Sequence, residues 1–200
     1  MNGNCLIKLG QFFVLFLIGA GFSQAQLIQG RVTLKGIAPS DRVIPGAQSV
    51  KDCHNNEIKT EFWKMGTNGG LANVVVWVEG MPKGMKPSKP LAKVVIDQKG
   101  CHYVPHIAAV PVKEKFVIKN SDPTLHNVRA NQILRGKKKV VFNLAQPVQG
   151  MKSEVSFSDP GLYSLECDVH PWMQAWIWAM DSLLWGNGSR RVLSVARRIA

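Results

Sequence analysis

Apolar and polar positions alternate in short runs through most of the chain. "LIQGRVTLKG" alternates up to Gly36, and "LANVVVWVEG", "AKVVID", "EKFVIKN", "KKVVFNL", "SEVSFS", "LYSLEC" and "AWIWAM" follow it. Their lengths are those of strands, and the spacers between them carry Gly, Pro, Asn and Asp. Residues 38–70 are polar and irregular, with Pro39, Pro45, Cys53 and "GTNGG". No stretch of this body gives a long amphipathic helix. Seven or eight short strands predict an all-β fold, an antiparallel β-sandwich. Trp176, Trp178 and Met180 share one face of the last run and are expected to pack inside it.

The two ends break this pattern. Lys8 is followed by an apolar run from Phe12 to Phe22 and then by Ser23-Gln24-Ala25. That is the layout of a signal peptide over residues 1–25, cleaved after Ala25, with Cys5 discarded. The run is too short to span a bilayer comfortably. Export to a periplasm or beyond is therefore expected, with no stable membrane insertion. At the other end, residues 181–200 lose strand alternation, and arginine replaces lysine. A membrane-surface helix is one reading of that basic tail. A frameshifted remnant is the preferred one, because suitable codons for "SLLWGNGSRRVLS" read in the next frame as a β-turn sequence with an Asp-Gly turn.

Charge narrows the partners. The whole chain is +12, and without the signal and the tail 20 basic and 12 acidic residues remain. Such a balance suits an acidic partner or an anionic surface. No nucleic-acid motif is present, and the aromatic residues do not interleave with the basic ones. "RGKKK", Arg135 to Lys139, reads as a solvated loop, with docking of an acidic partner as the alternative.

The chemistry concentrates in "YSLECDVHPWMQAWIWAM", which places Cys167, His170 and Met173 within seven residues between two strand-like runs. Thiolate and thioether favour Cu(I), and imidazole serves either oxidation state. A trigonal set of two His and one Cys with a weak axial Met is a blue-copper arrangement, so a second histidine is needed. His126 in "FVIKNSDPTLHNVRA" is the candidate, just after one strand and before another short β-run. Zinc fits less well, because methionine is not among its usual ligands. After export three cysteines remain. If Cys167 binds metal, Cys53 and Cys101 are left as a disulfide pair; three unrelated thiols are the alternative.

These motifs carry a resemblance. "YVPHIAAVPVKEKFVIKNSDPTLHNV" and "DPGLYSLECDVHPWMQAWIWAM" resemble the cupredoxins, small blue-copper electron carriers, and among them the amicyanin-like and plastocyanin-like proteins. Residues 90–180 carry the likeness, with 26–89 as N-terminal strands and an irregular segment of the same domain. "GGLANVVVWVEG" and "DQKGCHYVPH" extend it to exported bacterial proteins labelled methylamine-utilisation or plastocyanin-like. The resemblance implies a Greek-key sandwich holding one copper per chain. His126 and His170 would bind it through imidazole, Cys167 through thiolate and Met173 as the long axial ligand. Asn127 would tie the two ligand loops together. Two positions depart from the family pattern. Asp168 follows the cysteine where a hydroxyl or small residue is common, and Lys113-Glu114 stands where glycine is usual.

The function expected is a one-electron carrier, a monomer that meets its redox partner transiently. It is not expected to be an enzyme. A copper carrier or storage module is the alternative reading. Cys101, His102 and His106 in "GCHYVPHIAAV" are the one other group that could form a second metal site.

Overall fold

Short runs rich in Val, Ile, Phe and Tyr fold into strands because their alternate side chains fit one buried face of a pleated sheet. The structure is a computed structural model. It describes residues 26–45, 58–66, 69–77, 93–181, 185–188 and 193–197, with the backbone alone for 26–30, 185–188 and 193–197. Residues 1–25, Cys53 and part of the basic tail lie outside the described residues. The early strands are β1 (Gln26–Gly30), β2 (Val74–Trp77), β3 (Val95–Gln98), β4 (Tyr103–Val104) and β5 (Ile107–Pro111). The central ones are β6 (Phe116–Asn120), β7 (His126–Leu134), β8 (Lys137–Gln146) and β9 (Lys152–Val155). Then come β10 (Gly161–Glu166), β11 (Gln174–Met180), β12 (Trp185–Gly188) and β13 (Leu193–Arg197). No α-helix occurs among the described residues.

Two sheets make the expected all-β sandwich. One has the order β5-β11-β10-β7-β8 and the other β4-β3-β6-β9. The chain crosses repeatedly between them, which is Greek-key connectivity. Most pairings are antiparallel, but β3 with β6 and β5 with β11 are parallel. These parallel pairs arise because β5 lies in one sheet while its chain neighbours β4 and β6 lie in the other. The backbone of the tail also pairs: β12 runs antiparallel to β2, and β13 to β1.

The core lies between the sheets. Ile96, Phe116 and Ile118 from one meet Val128, Ala130, Tyr163, Leu165, Ala175 and Ile177 from the other. Phe157 is its centre, stacked on Tyr163 at 3.8 Å between ring centroids, with Phe116 at 5.3 Å and Phe142 at 6.0 Å. Burying an aromatic side chain this completely contributes about 1.5–3 kcal/mol. Tyr163 also donates its hydroxyl to the carbonyl of Asp159 at 2.8 Å, pinning the turn that leads into β10.

The last strand faces the other way from expectation. Ala175, Ile177 and Ala179 enter the core, while Trp176 and Trp178 are half-buried on the opposite face. There they line an apolar cavity of about 430 Å³ with Val75, Trp77, Ile107 and Leu162. Both faces of "AWIWAM" are apolar, so alternation alone cannot say which one is inward. "RGKKK" divides as well. Arg135 and Gly136, both at positive φ, make a two-residue turn, and Lys137 to Lys139 open β8. That is the backbone of a tight hairpin whose twist matches the strands.

Candidate metal centre

Two loops at one end of the sandwich carry the candidate ligands. The first runs from β6 to β7 and ends on His126. Asn120, at the end of β6, is fully buried and shapes this loop. Its side-chain amide donates to the carbonyls of Thr124 and Gln146, both at 2.9 Å, and its Oδ1 accepts the backbone N–H of Asp122 at 2.9 Å. The second loop joins β10 to β11. It is a tight turn in which Met173 N–H donates to the His170 carbonyl at 2.9 Å and Cys167 N–H to the Met173 carbonyl at 3.3 Å. That turn places Cys167, His170 and Met173 on one short loop, all three buried.

The two loops come together at this end. His126 Nδ1 and His170 Nδ1 face each other at 3.0 Å. Cys167 Sγ lies 3.7 Å from the second and 4.0 Å from the first. A triangle with these sides has its centre about 2.1 Å from each corner. With zinc as the ruler, metal–imidazole bonds are about 2.0–2.1 Å and metal–thiolate bonds about 2.3 Å. The three donors therefore fit around one ion with little movement. Met173 completes the buried set, and all four side chains are no more than 3% exposed.

Asn127 bridges the two loops. Its Oδ1 accepts the Asp168 backbone N–H at 2.6 Å and lies 3.4 Å from Cys167 Sγ. Its amide donates to Asp168 Oδ2 at 2.9 Å and Asn143 Oδ1 at 2.8 Å. The unusual Asp168 carboxylate is thus used as a clasp. Arg129 balances its charge, with Nη1 2.7 Å from Asp168 Oδ1 and Nη2 3.1 Å from Glu166.

Sequence reasoning missed Asp122. This carboxylate is 1% exposed, and its Oδ2 lies 3.0 Å from His126 Nε2. Its oxygens also accept the backbone N–H groups of Gly100 at 2.6 Å and Cys101 at 2.9 Å. A carboxylate on the far ring nitrogen fixes the tautomer so that Nδ1 presents its lone pair to the centre. Burial opposes charge on both residues, but their hydrogen bond prevails. His126 is held above the ordinary imidazole value and Asp122 below the ordinary carboxyl value. Burial likewise pushes the Cys167 thiol up, and hydrogen bonds from His126 and the surrounding loop outweigh it, so the thiol lies below its usual value. The shift runs toward the thiolate, the form that binds metal.

Cys101 is a near neighbour with a different role. Its sulfur comes within 4.8 Å of a ring nitrogen of each histidine. It is held in a disulfide, whereas Cys167 is a free thiol. An oxidised sulfur is not the donor that a thiolate is, so the free thiol of Cys167 is the better candidate sulfur. The group Cys101, His102 and His106 is not assembled either: Cys101 is in the core, while His102 and His106 point toward Glu61.

The donor chemistry selects the ion. Two imidazoles and a thiolate match copper, whose two oxidation states these soft and borderline donors can both serve. The centre can hold one copper ion.

No family model matches the chain, and no curated protein does. Solved structures give partial likenesses. A copper-containing nitrite reductase from Thermus scotoductus SA-01 is 22% identical over 52% of this chain, with a TM-score of 0.38. The match spans only 25% of that longer protein. A purple cupredoxin from Nitrosopumilus maritimus is 23% identical over 44% of this chain and all of its own, at 0.39. Amicyanin from Paracoccus versutus is 18% identical over 46% of this chain and 85% of its own, at 0.38.

Proposed function

We propose that this chain is an exported type 1 copper protein of the cupredoxin kind, which carries single electrons between redox partners. The observation behind this reading is the triangle of His126 Nδ1, His170 Nδ1 and Cys167 Sγ, sized for one ion and closed to solvent. Met173, buried in the same turn, is the proposed axial ligand. Bound copper would supply one-electron chemistry between Cu(I) and Cu(II).

The chain's own residues supply the rest. Asn127, Asp168 and Arg129 clasp the two loops, so the ligands need not rearrange when the charge of the centre changes. Asp122 holds His126 in one tautomer. Burial of the four donors excludes water and suits retention of the ion rather than its delivery. Leu125, Val169 and Pro171, the neighbours of the two histidines, are exposed and apolar. Such a rim suits brief contact with a redox partner, since transient redox complexes are small and weak. The basic balance of the body favours an acidic one. Removal of residues 1–25 on export is part of this reading, as is a disulfide between Cys101 and Cys53.

The test is a redox titration of the copper-loaded chain, followed by metal analysis. Reversible one-electron cycling with one copper retained per chain supports the carrier. Loss of copper on reduction would favour a delivery or storage module instead.

A further inference from the structure

Cys101 brings a second sulfur to the same two histidines. Its Sγ and one ring nitrogen each of His126 and His170 all lie within 4.8 Å of one another. All three side chains are buried. Donors bound to one ion by bonds of about 2.0–2.3 Å sit roughly 3.3–3.8 Å apart. A shift of at most about 1.5 Å would therefore let this sulfur share an ion with the imidazoles.

Its own bond keeps it out. Cys101 is held in a disulfide, and a bonded sulfur carries no thiolate charge and is not free to turn. The backbone at Cys101 is meanwhile fixed to both ligand loops. Its N–H donates to Asp122 Oδ2 at 2.9 Å, the oxygen that lies 3.0 Å from His126 Nε2. Its carbonyl accepts the Nε1–H of Trp172 at 3.2 Å, and the Trp172 ring packs on His170 at 5.3 Å between centroids. Cleaving the disulfide would thus release the side chain while the residue stays beside the histidines.

We propose that the disulfide at Cys101 is a redox gate on the metal centre: it withholds a competing sulfur donor, and reduction by an external dithiol gives that sulfur to His126 and His170. The inference concerns regulation of the same centre and rests on the copper reading above. Cys101 is fully buried, so the dithiol attacks the partner sulfur and Cys101 is the leaving thiolate. The dithiol gives up two electrons and two protons and ends as its own disulfide, and both protein cysteines end as thiols. The Cys101 proton leaves when its sulfur takes an ion. With the gate closed, Cys167 is the free thiol of the described residues, and the histidine pair has one thiolate to share an ion with. With the gate open, a second soft donor competes, and the preference moves toward closed-shell ions, Cu(I) and Zn(II).

The experiment uses the full chain carrying Cys167→Ser, which leaves Cys101 as the cysteine under test at the centre. The chain is reduced with dithiothreitol, freed of it by anaerobic gel filtration, and titrated with Zn(II), which cannot reoxidise thiols, by calorimetry. The thiol count should rise by two on reduction. Zinc should then bind at least about tenfold more tightly than to the oxidised chain, and adding Cys101→Ala or His170→Gln should remove the gain. Adding Cys53→Ser instead should open the gate without reductant and reproduce the tighter binding. An unchanged thiol count, or zinc binding that is equal in the two forms or indifferent to Cys101→Ala, would overturn the gate. The copper reading is tested apart, with Cu(II) on the oxidised wild-type chain, and stands or falls independently of these results.

Discussion

The Nδ1 atoms of His126 and His170 face each other at 3.0 Å across the end of the sandwich, although 44 positions separate them in the chain. Two protonated rings would repel in this position, while two neutral rings share one proton in an N–H···N hydrogen bond. A cation on the same two lone pairs would take the place of that proton. The residues that hold the rings therefore control metal affinity as surely as the rings themselves.

Asp122 gives the first prediction. Asp122→Asn keeps the shape of the side chain and weakens its hold on His126 Nε2. Copper affinity should fall by about 10–100-fold, as is usual when such an outer partner is lost. Competition with a chelator measures this. An unchanged affinity would mean that the carboxylate only caps the Gly100–Cys101 turn.

The same pair sets the pH response of the metal-free chain. His126 is held above its ordinary value, so its contribution is complete below about pH 6.5 and is lost as pH rises through the folded value. Asp122 is held below its ordinary value. Its contribution is complete above about pH 3.9 and is lost as pH falls through the folded value. Glu166, kept low by Lys138, Ser164 and Arg129 against the effect of burial, adds to the acid limb. Urea midpoints taken from pH 3 to 7.5 should peak between these limits, and Asp122→Asn should flatten both limbs.

Lys113 is a non-glycine residue held at a φ of +63°. An L-residue pays about 1–2 kcal/mol in that region, and glycine recovers part of it less its own entropy. Lys113→Gly should therefore stabilise the chain by up to about 1 kcal/mol in urea unfolding. It should leave copper binding unchanged.

Phe157 makes the opposite case. It touches Phe116, Phe142 and Tyr163 in the core, and Phe157→Ala should cost about 3–5 kcal/mol. Chemical denaturation reads the loss directly. A cost below 1 kcal/mol would contradict the packing described here.

Much of the centre was legible because it is local. Cys167, His170 and Met173 lie within one turn, and the strand runs on either side fix where that turn must sit. His126 was legible from its place after "FVIKN". Asp122 was not, because a carboxylate in an Asn-Ser-Asp turn looks solvated until the fold turns it against the imidazole. Most of β7 was hidden for a similar reason: Asn127, Arg129, Asn131 and Gln132 dilute the strand signal, and burial of Val128 and Ala130 decides it. Glu61 was invisible as a partner of His102 and His106, since only tertiary packing brings its segment to them. Trp176 and Trp178 show the limit of alternation when both faces are apolar.

The most direct measurement is the visible absorption spectrum of the purified chain after addition of Cu(II), in wild type and in Cys167→Ser. An intense blue or purple thiolate-to-copper band is predicted in the wild type and its loss in the variant. A wild-type chain that stays colourless and binds no copper would contradict the copper centre, leaving His126, Cys167 and His170 as packed core residues.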